Sequence, residues 1–387
     1  MPELEPRSSG REPTSAPPVR VLLVGPSLDI LGGQAIQAAR LLEQFRAVPG
    51  IQADFLPVNP RLPGPLAALQ RVKYVRTIVT SIAYLVSLLA RVPRHDVIHA
   101  FSASYYSYLL APLPALVIGK LYGKRTLLNY HSGEADDDLA NWRSAVPTMR
   151  RFADVIVAPS GYLVDVFARH GLEAVSIFNF VDLARLPYRE RREPAPVFLS
   201  NRNLEPLYNV GCILEAFALI QAELPEARLI VAGDGAQRAM LEGRARELGL
   251  RGVEFLGRVP PAEMGALYDR ADIYLNSPNI DNMPGSIIEA YAAGLPVVTT
   301  DAGGIPYIVR HDETGLMVPS GDSDGMAAAA LRLIREPGLA ARLAGTAREE
   351  CLSRYVWPAV EAEWLALYRQ LASRKPVAAG SDSPANA

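Results

Sequence analysis

The chain is poor in cysteine, histidine and lysine. Its 387 residues include only two cysteines, Cys212 and Cys351, far apart and without a metal-ligand companion. No disulfide framework is indicated, which fits a reducing compartment. Five histidines without a His/Cys cluster argue against a structural zinc site. Lysine occurs only at 73, 120, 124 and 375, so the basic residues are nearly all arginine, a compositional bias rather than a functional signal. Positive charge is not in excess either: the net charge is −2 and the pI about 6.3, unlike a general nucleic-acid binder. The apolar run from Thr77 to Ala90 has 14 residues, short of the ~20 of a membrane-spanning helix. No repeat at a short fixed period appears, which excludes a solenoid. The first residues lack the basic-then-apolar order of a signal peptide. Residues 1–18 read as a disordered leader and 373–387 as a disordered tail, and the chain as cytoplasmic.

Hydrophobic residues make up 49% of the sequence, enough for two cores of ordinary size. Short apolar runs alternate with helical periods. Val19 to Val24 reads as a buried strand, Gln34 to Phe45 as a helix and Ile51 to Val58 as a second strand. Asp96 to His99, Arg125 to Tyr130, Ala153 to Ala158 and Ala174 to Phe178 continue the series. Leu186 to Pro196 is polar and proline-bearing and reads as a linker. The alternation then restarts at Val197 and runs past Pro296-Val297-Val298. The expected architecture is α/β, with two doubly wound Rossmann-like domains facing a central cleft. The first spans 19–186, the linker 187–196 and the second 197–354. Residues 355–372 form a terminal helix expected to pack back on the first domain. The cleft is the expected site.

The most informative stretch is Asn276 to Thr300, NSPNIDNMPGSIIEAYAAGLPVVTT. It reads as strand end, polar loop, helix, turn and strand. Pro284 suits the first turn of the helix, where its missing N–H costs nothing. Gly285 and Ser286 would then leave free N–H groups at a helix start, a ready site for phosphate. Glu289 follows within two turns, a carboxylate suited to a sugar diol. An ordinary loop–helix–strand unit, common to all α/β proteins, accounts for the local pattern equally well.

Three further features carry alternatives. Gly32-Gly33 follows the first strand without the G-x-G-x-x-G dinucleotide fingerprint, so NAD is not indicated. The pair either admits a substrate close to the backbone or serves a turn. His131 follows a strand's carboxyl end, where open α/β sheets place ligands, or is a surface histidine. The segment Arg71 to Arg94 is apolar between basic flanks, Arg71, Lys73, Arg76, Arg91 and Arg94. It is either a buried helix packed on a sheet or a helix that touches a membrane surface.

Taken together, Asp281, seven residues, Glu289 and the run AYAAGLPVVTTDAGGIPYIV with HDETGLMVPSGD resemble the GT-B-fold glycosyltransferases of family 4. The resemblance covers roughly residues 20–372. It implies a retaining transfer of sugar from a nucleotide diphosphate donor to a glycan or lipid-linked acceptor, without cofactor or metal; the segment Tyr74 to Val92 suggests, in its membrane-touching reading, peripheral contact with the inner face of the cytoplasmic membrane. The resemblance implies that Glu289 holds the ribose hydroxyls and that Asp281, where the family has glutamate, faces the donor sugar. It places Asn282, Met283, Pro284, Gly285 and Ser286 around sugar and diphosphate, Gly32 and Gly33 against phosphate and acceptor, and His131 near the transferred sugar. Arg202 matches a diphosphate-clamping arginine, and His131, Arg202 and Asp281 are the implied catalytic group. Gly233-Asp234-Gly235 and Phe255-Leu256-Gly257 match structural turns. The family's second clamp cation, a lysine, is replaced by Tyr208 or Asn209, with Arg258 a possible substitute. That departure keeps open a catalytically weakened protein that binds a glycan or a partner.

Overall fold

The computed structural model describes residues 17–28, 32–62, 64–72, 74–102 and 104–373. The leader and tail expected at 1–18 and 373–387 fall almost wholly outside the described residues, as does Lys73.

The first half contains β1 (Val19–Gly25), α1 (Gly33–Ala47), β2 (Ile51–Pro57), α2 (Val75–Arg91), β3 (Val97–Ser102), α3 (Tyr106–Leu110), α4 (Pro112–Leu121), β4 (Arg125–Tyr130), α5 (Ala135–Asn141), α6 (Ala145–Phe152), β5 (Val155–Ala158), α7 (Gly161–Arg169) and β6 (Val175–Ser176). The second contains β7 (Val197–Ser200), α8 (Val210–Glu223), β8 (Arg228–Ala232), α9 (Arg238–Glu247), β9 (Val253–Gly257), α10 (Met264–Arg270), β10 (Ile273–Asn276), α11 (Gly285–Ala293), β11 (Val297–Thr300), β12 (Leu316–Val318), α12 (Ser323–Arg335), α13 (Leu339–Arg354) and α14 (Trp357–Ser373).

Each half forms a six-stranded sheet, in the orders β2-β1-β3-β4-β5-β6 and β12-β11-β10-β7-β8-β9. Every pairing between these strands is parallel. Helices cover both faces, so the strands are continuous apolar runs rather than alternating ones. In β1, Val21 and Leu23 join one core with Phe45 of α1, while Leu22 and Val24 join the opposite core. Helix α14 shares the first of these cores through Val360, Trp364, Tyr368 and Leu371. The chain therefore returns to the first sheet after completing the second.

Two expectations change here. The segment read as a linker is bound to the second domain beside β10 and α11. Arg191 is buried and donates to the carbonyls of Ala271, Tyr268, Ala293 and Arg189 at 2.7–2.9 Å. A guanidinium that satisfies so many carbonyls makes the segment part of the body, not a spacer. Helix α2 is not buried either. Tyr84 and Leu88 are its buried residues, whereas Ile78 and Val86 are 61% and 60% exposed. The core beneath is filled by Leu116 and Ile118 of α4 and by Leu163, Val166 and Phe167 of α7, which leaves α2 on the periphery. With the turn that follows, it extends as Val75–Arg94, 20 residues, long and apolar enough to cross a membrane by length and composition.

Candidate active site

The strand order of the second sheet reverses between β7 and β10. Strand order turns outward on either side, so the loops after these two strands diverge and open a crevice at their carboxyl ends. Arg202 lies in the loop after β7 and Asp281 in the loop after β10. Arg202 Nη2 meets Asp281 Oδ2 at 2.6 Å, and Nη1 donates to Ser286 Oγ at 3.0 Å. Burial opposes the charge, but the adjacent carboxylate of Asp281 more than offsets this and holds the guanidinium above its ordinary pKa. The remaining Nε of Arg202 is buried with no protein partner.

Helix α11 begins at Gly285, with extended Pro284 as its N-cap and no side-chain cap. Its first N–H groups have no intrahelical acceptor, which leaves partial positive charge at that end. One turn on, Glu289 is held from both sides. Arg40 Nη2 donates to Oε1 at 2.7 Å and Tyr268 Oη to Oε2 at 2.9 Å. Behind Tyr268 the chain of hydrogen bonds continues: Asn201 Nδ2 donates to Tyr268 Oη at 2.7 Å, and Tyr274 Oη to Asn201 Oδ1 at 2.8 Å. Burial and Glu289 keep the Tyr268 phenol protonated.

The first domain faces this crevice with the ends of β1, β3 and β4. His131 follows β4, and its backbone N–H donates to Ser102 O at 3.0 Å. Burial pushes its imidazole down to about 4, so it is neutral at pH 7, and its Nε2 has no protein partner. A Cβ on Gly133, two residues on, would lie 3.3 Å from the Asp281 carbonyl carbon. The His131 loop and the Asp281 loop thus touch across the cleft. Ser160 Oγ also donates to Asn282 Oδ1 in a short hydrogen bond. Among the described residues, no heavy atom lies within 4 Å of where a Cβ on Gly32 or Gly33 would sit, and Gly32 is extended at φ −169°. Neither a turn nor protein packing demands glycine there; the free space at the start of α1 is what the pair provides.

The structure brings Arg202, Asp281, Ser286, Glu289, Pro284 and Gly285 together, with His131 and Gly133 opposite. Two side chains of the loop expected around sugar and diphosphate are buried in the structure. Met283 is buried in the core with Ile287 and Ile288. Asn282 is 3% exposed and its side-chain oxygen is committed to Ser160. Arg258 follows β9, which stands two strands from β7, roughly 10 Å away at ordinary strand spacing. Its backbone is linked to the Arg202 loop through Gly233, whose N–H donates to Gly257 O at 2.8 Å, and the position of the expected lysine falls to other residues. Tyr208 takes that place and Asn209 caps α8.

Arg40, Tyr268, Asn201 and Ser160 were not expected from sequence. The available signal for Arg40 was Gln37 and Arg40, three apart and so on one side of α1, beside its buried apolar stripe. Among the described residues, no group of three or more His, Cys, Asp or Glu side chains is gathered as a metal would need.

Two Rossmann-like sheets whose switch-point loops face one another across a cleft define a GT-B protein. A family model described as "Glycosyltransferase Family 4" matches residues 31–185, and one described as "Glycosyl transferases group 1" matches 188–350. The chain is 30% identical to the glycogen synthase of Mycobacterium tuberculosis over 283 residues, 69% of this chain and 67% of that protein. It is 30% identical to the phosphatidyl-myo-inositol mannosyltransferase of Mycobacterium leprae over 211 residues, 52% of this chain and 55% of that one. In fold it is similar to Anabaena HepE in complex with UDP and glucose, with TM-score 0.72, 19% identity and coverage of 92% and 100%. Sucrose-phosphate synthase from Thermosynechococcus elongatus gives TM-score 0.71, 20% identity and coverage of 92% and 99%. The chain belongs to the group 1, family 4 glycosyltransferases, enzymes that use nucleotide sugars in glycan assembly.

Proposed function

We propose that this glycosyltransferase binds its nucleotide diphosphate sugar with Glu289 on the ribose diol, Arg202 and the α11 N-terminus on the diphosphate, and Asp281 on the sugar. The observation that carries this reading is their convergence at the β7/β10 switch point, opposite His131. A carboxylate accepts two hydrogen bonds from a vicinal diol. Arg202 and the backbone N–H groups of α11 meet the charge that grows on the leaving diphosphate. The sugar passes through an oxocarbenium-like transition state with retention at the anomeric carbon. In this reading no metal takes part. Neutral His131, with its free Nε2, orients sugar and acceptor hydroxyl rather than carrying charge. Calorimetry against UDP, GDP, ADP and CDP tests the donor side. One of them should bind the wild type and bind Glu289→Ala at least tenfold more weakly, the cost of losing hydrogen bonds to a charged group. Equal affinities would refute the ribose assignment.

The finer reading concerns the acceptor. Helix α2 exposes Ile78, Ile82, Leu85, Val86 and Leu89. Between Asp54 and Asp96 the sequence has no acidic residue, while Arg61, Arg71, Lys73, Arg76, Arg91 and Arg94 are basic. An apolar face between basic ends suits an anionic bilayer, where the face enters the headgroup boundary and arginines meet lipid charge. We place the protein at the cytoplasmic membrane face with a lipid-linked acceptor.

A further inference from the structure

We infer that Arg40 is a positioning residue that couples occupancy of Glu289 to the hinge between the two domains. This rests on the nucleotide-sugar reading of Glu289 above and goes beyond it.

The chain passes between the domains twice, and the two passages meet at one point. Val181 N donates to Tyr355 O at 2.9 Å, and Val181 bridges to Val356. Phe180 stands immediately before this junction and is gripped by the first domain. Its carbonyl accepts from Gln37 Nε2 at 3.2 Å and from Arg40 Nη1 at 2.9 Å. The second arm of Arg40 crosses to Glu289 Oε1 at 2.7 Å. Both side chains of this ion pair are mostly buried, 18% and 16% exposed. One guanidinium thus joins α1, the hinge backbone and the carboxylate on α11.

The guanidinium is a rigid planar fork, so the separation of its two bonded ends is set. A rotation of one domain about Phe180–Val181 cannot keep both arms engaged. The carboxylate of Glu289 has about four lone-pair directions. Arg40 uses one on Oε1 and Tyr268 one on Oε2, which leaves one on each oxygen for a vicinal diol. Clamped on both sides, Glu289 presents these two directions in a fixed orientation only while the domains hold the set seen here. Without Arg40 the carboxylate keeps a partner on one side alone, and the hinge loses its tie to the donor site.

The test uses the full chain and the variants Arg40→Met, which keeps the aliphatic stem, and Arg40→Lys, which keeps charge but reaches one partner. Nucleotide affinity is measured by calorimetry with UDP, GDP, ADP and CDP, the radius of gyration by small-angle scattering, and donor KM and kcat by turnover. Arg40→Met is expected to weaken nucleotide binding about tenfold, as for loss of a charged hydrogen bond, and to raise donor KM more than it lowers kcat. Its radius of gyration without nucleotide should exceed that of the wild type. Arg40→Lys should recover part of the affinity but not the compactness, which keeps the test decisive if Arg40→Met does not fold. In the Glu289→Gln background, Arg40→Met should cost little more, since the two act through one contact. A wild-type protein that binds a nucleotide, with Arg40 variants equal to it in affinity and compactness, overturns the coupling alone. A wild type that binds no nucleotide diphosphate overturns the donor-site reading and this proposal with it.

Discussion

The guanidinium of Arg202 lies over the ring of Tyr208, its Cζ 4.1 Å from the ring centroid. Tyr208 stands where relatives are expected to carry a second cation, so this chain holds one arginine firmly instead of offering two positive charges. The loop bearing Tyr208 is tied to the loop bearing Asp281. Ser277 Oγ donates to Asn209 O at 2.8 Å, Asn279 N to Leu207 O at 2.9 Å, and Asn209 Nδ2 to Asn279 Oδ1 at 3.2 Å. Both walls of the switch point therefore move as one piece around Arg202.

Arg202→Lys is expected to lower kcat by roughly 10²–10³, the usual loss for one transition-state donor. A lysine cannot meet Asp281, Ser286 and the Tyr208 ring at once. Initial rates at saturating donor check this, and an unchanged kcat would remove Arg202 from the clamp.

Tyr208→Phe should stay close to wild type, because the stacking face remains. Tyr208→Ala should lower kcat/KM by about fivefold or more, from a cation–π contact of about 1–2 kcal/mol at a desolvated site. If the two variants are indistinguishable in turnover, the ring does not order Arg202.

A pH dependence of stability follows from His99. It is fully buried, with Nδ1 2.6 Å from Tyr368 Oη of α14 and Nε2 3.0 Å from Asn129 Nδ2. Burial, then the neighbouring His131, pushes its pKa from 6.5 down to about 3. Below pH 6.5 the unfolded chain takes up a proton that the folded chain refuses. This group's contribution is therefore full above pH 6.5 and is lost as the pH falls toward 3. Between pH 7 and pH 5 the loss should be about 2 kcal/mol. Urea unfolding at both values checks this, and His99→Gln should shrink the difference by about 2 kcal/mol, with buried His131 keeping a similar share; an equal difference in that variant refutes it.

Membrane binding should depend on side chains that the fold itself does not need. Ile82→Asp and Val86→Asp alter exposed positions, so thermal stability should change little. Co-sedimentation with vesicles containing anionic lipid should be lost in both. Replacing the exposed Arg76 and Arg94 by alanine should weaken binding to anionic vesicles by about 1 kcal/mol per charge. Wild-type protein that stays in the supernatant with anionic vesicles would contradict the membrane placement.

Much of the architecture is readable from the sequence because its signals are local. Apolar runs such as Val19–Val24 and Val297–Thr300 are buried wherever a parallel sheet forms, and Gly285 and Glu289 report a helix start with a carboxylate one turn on. Roles that depend on neighbours were not readable. Asn282 and Met283 sit in the same loop as Asp281, yet the turn of the backbone sends one to Ser160 of the other domain and the other into the core. The exposure of α2 depended on α4 and α7 filling the same sheet face first.

What the sequence determined alone is the alternation of strands and helices and the chemical kinds of residue at each strand's end, since hydrophobic period and helix-start chemistry act over a few residues. Only the tertiary structure decided that Arg40 reaches Glu289 and that Asp281 reaches Arg202. Those pairings join residues 249 and 79 positions apart through domain set and strand order, which no local pattern encodes.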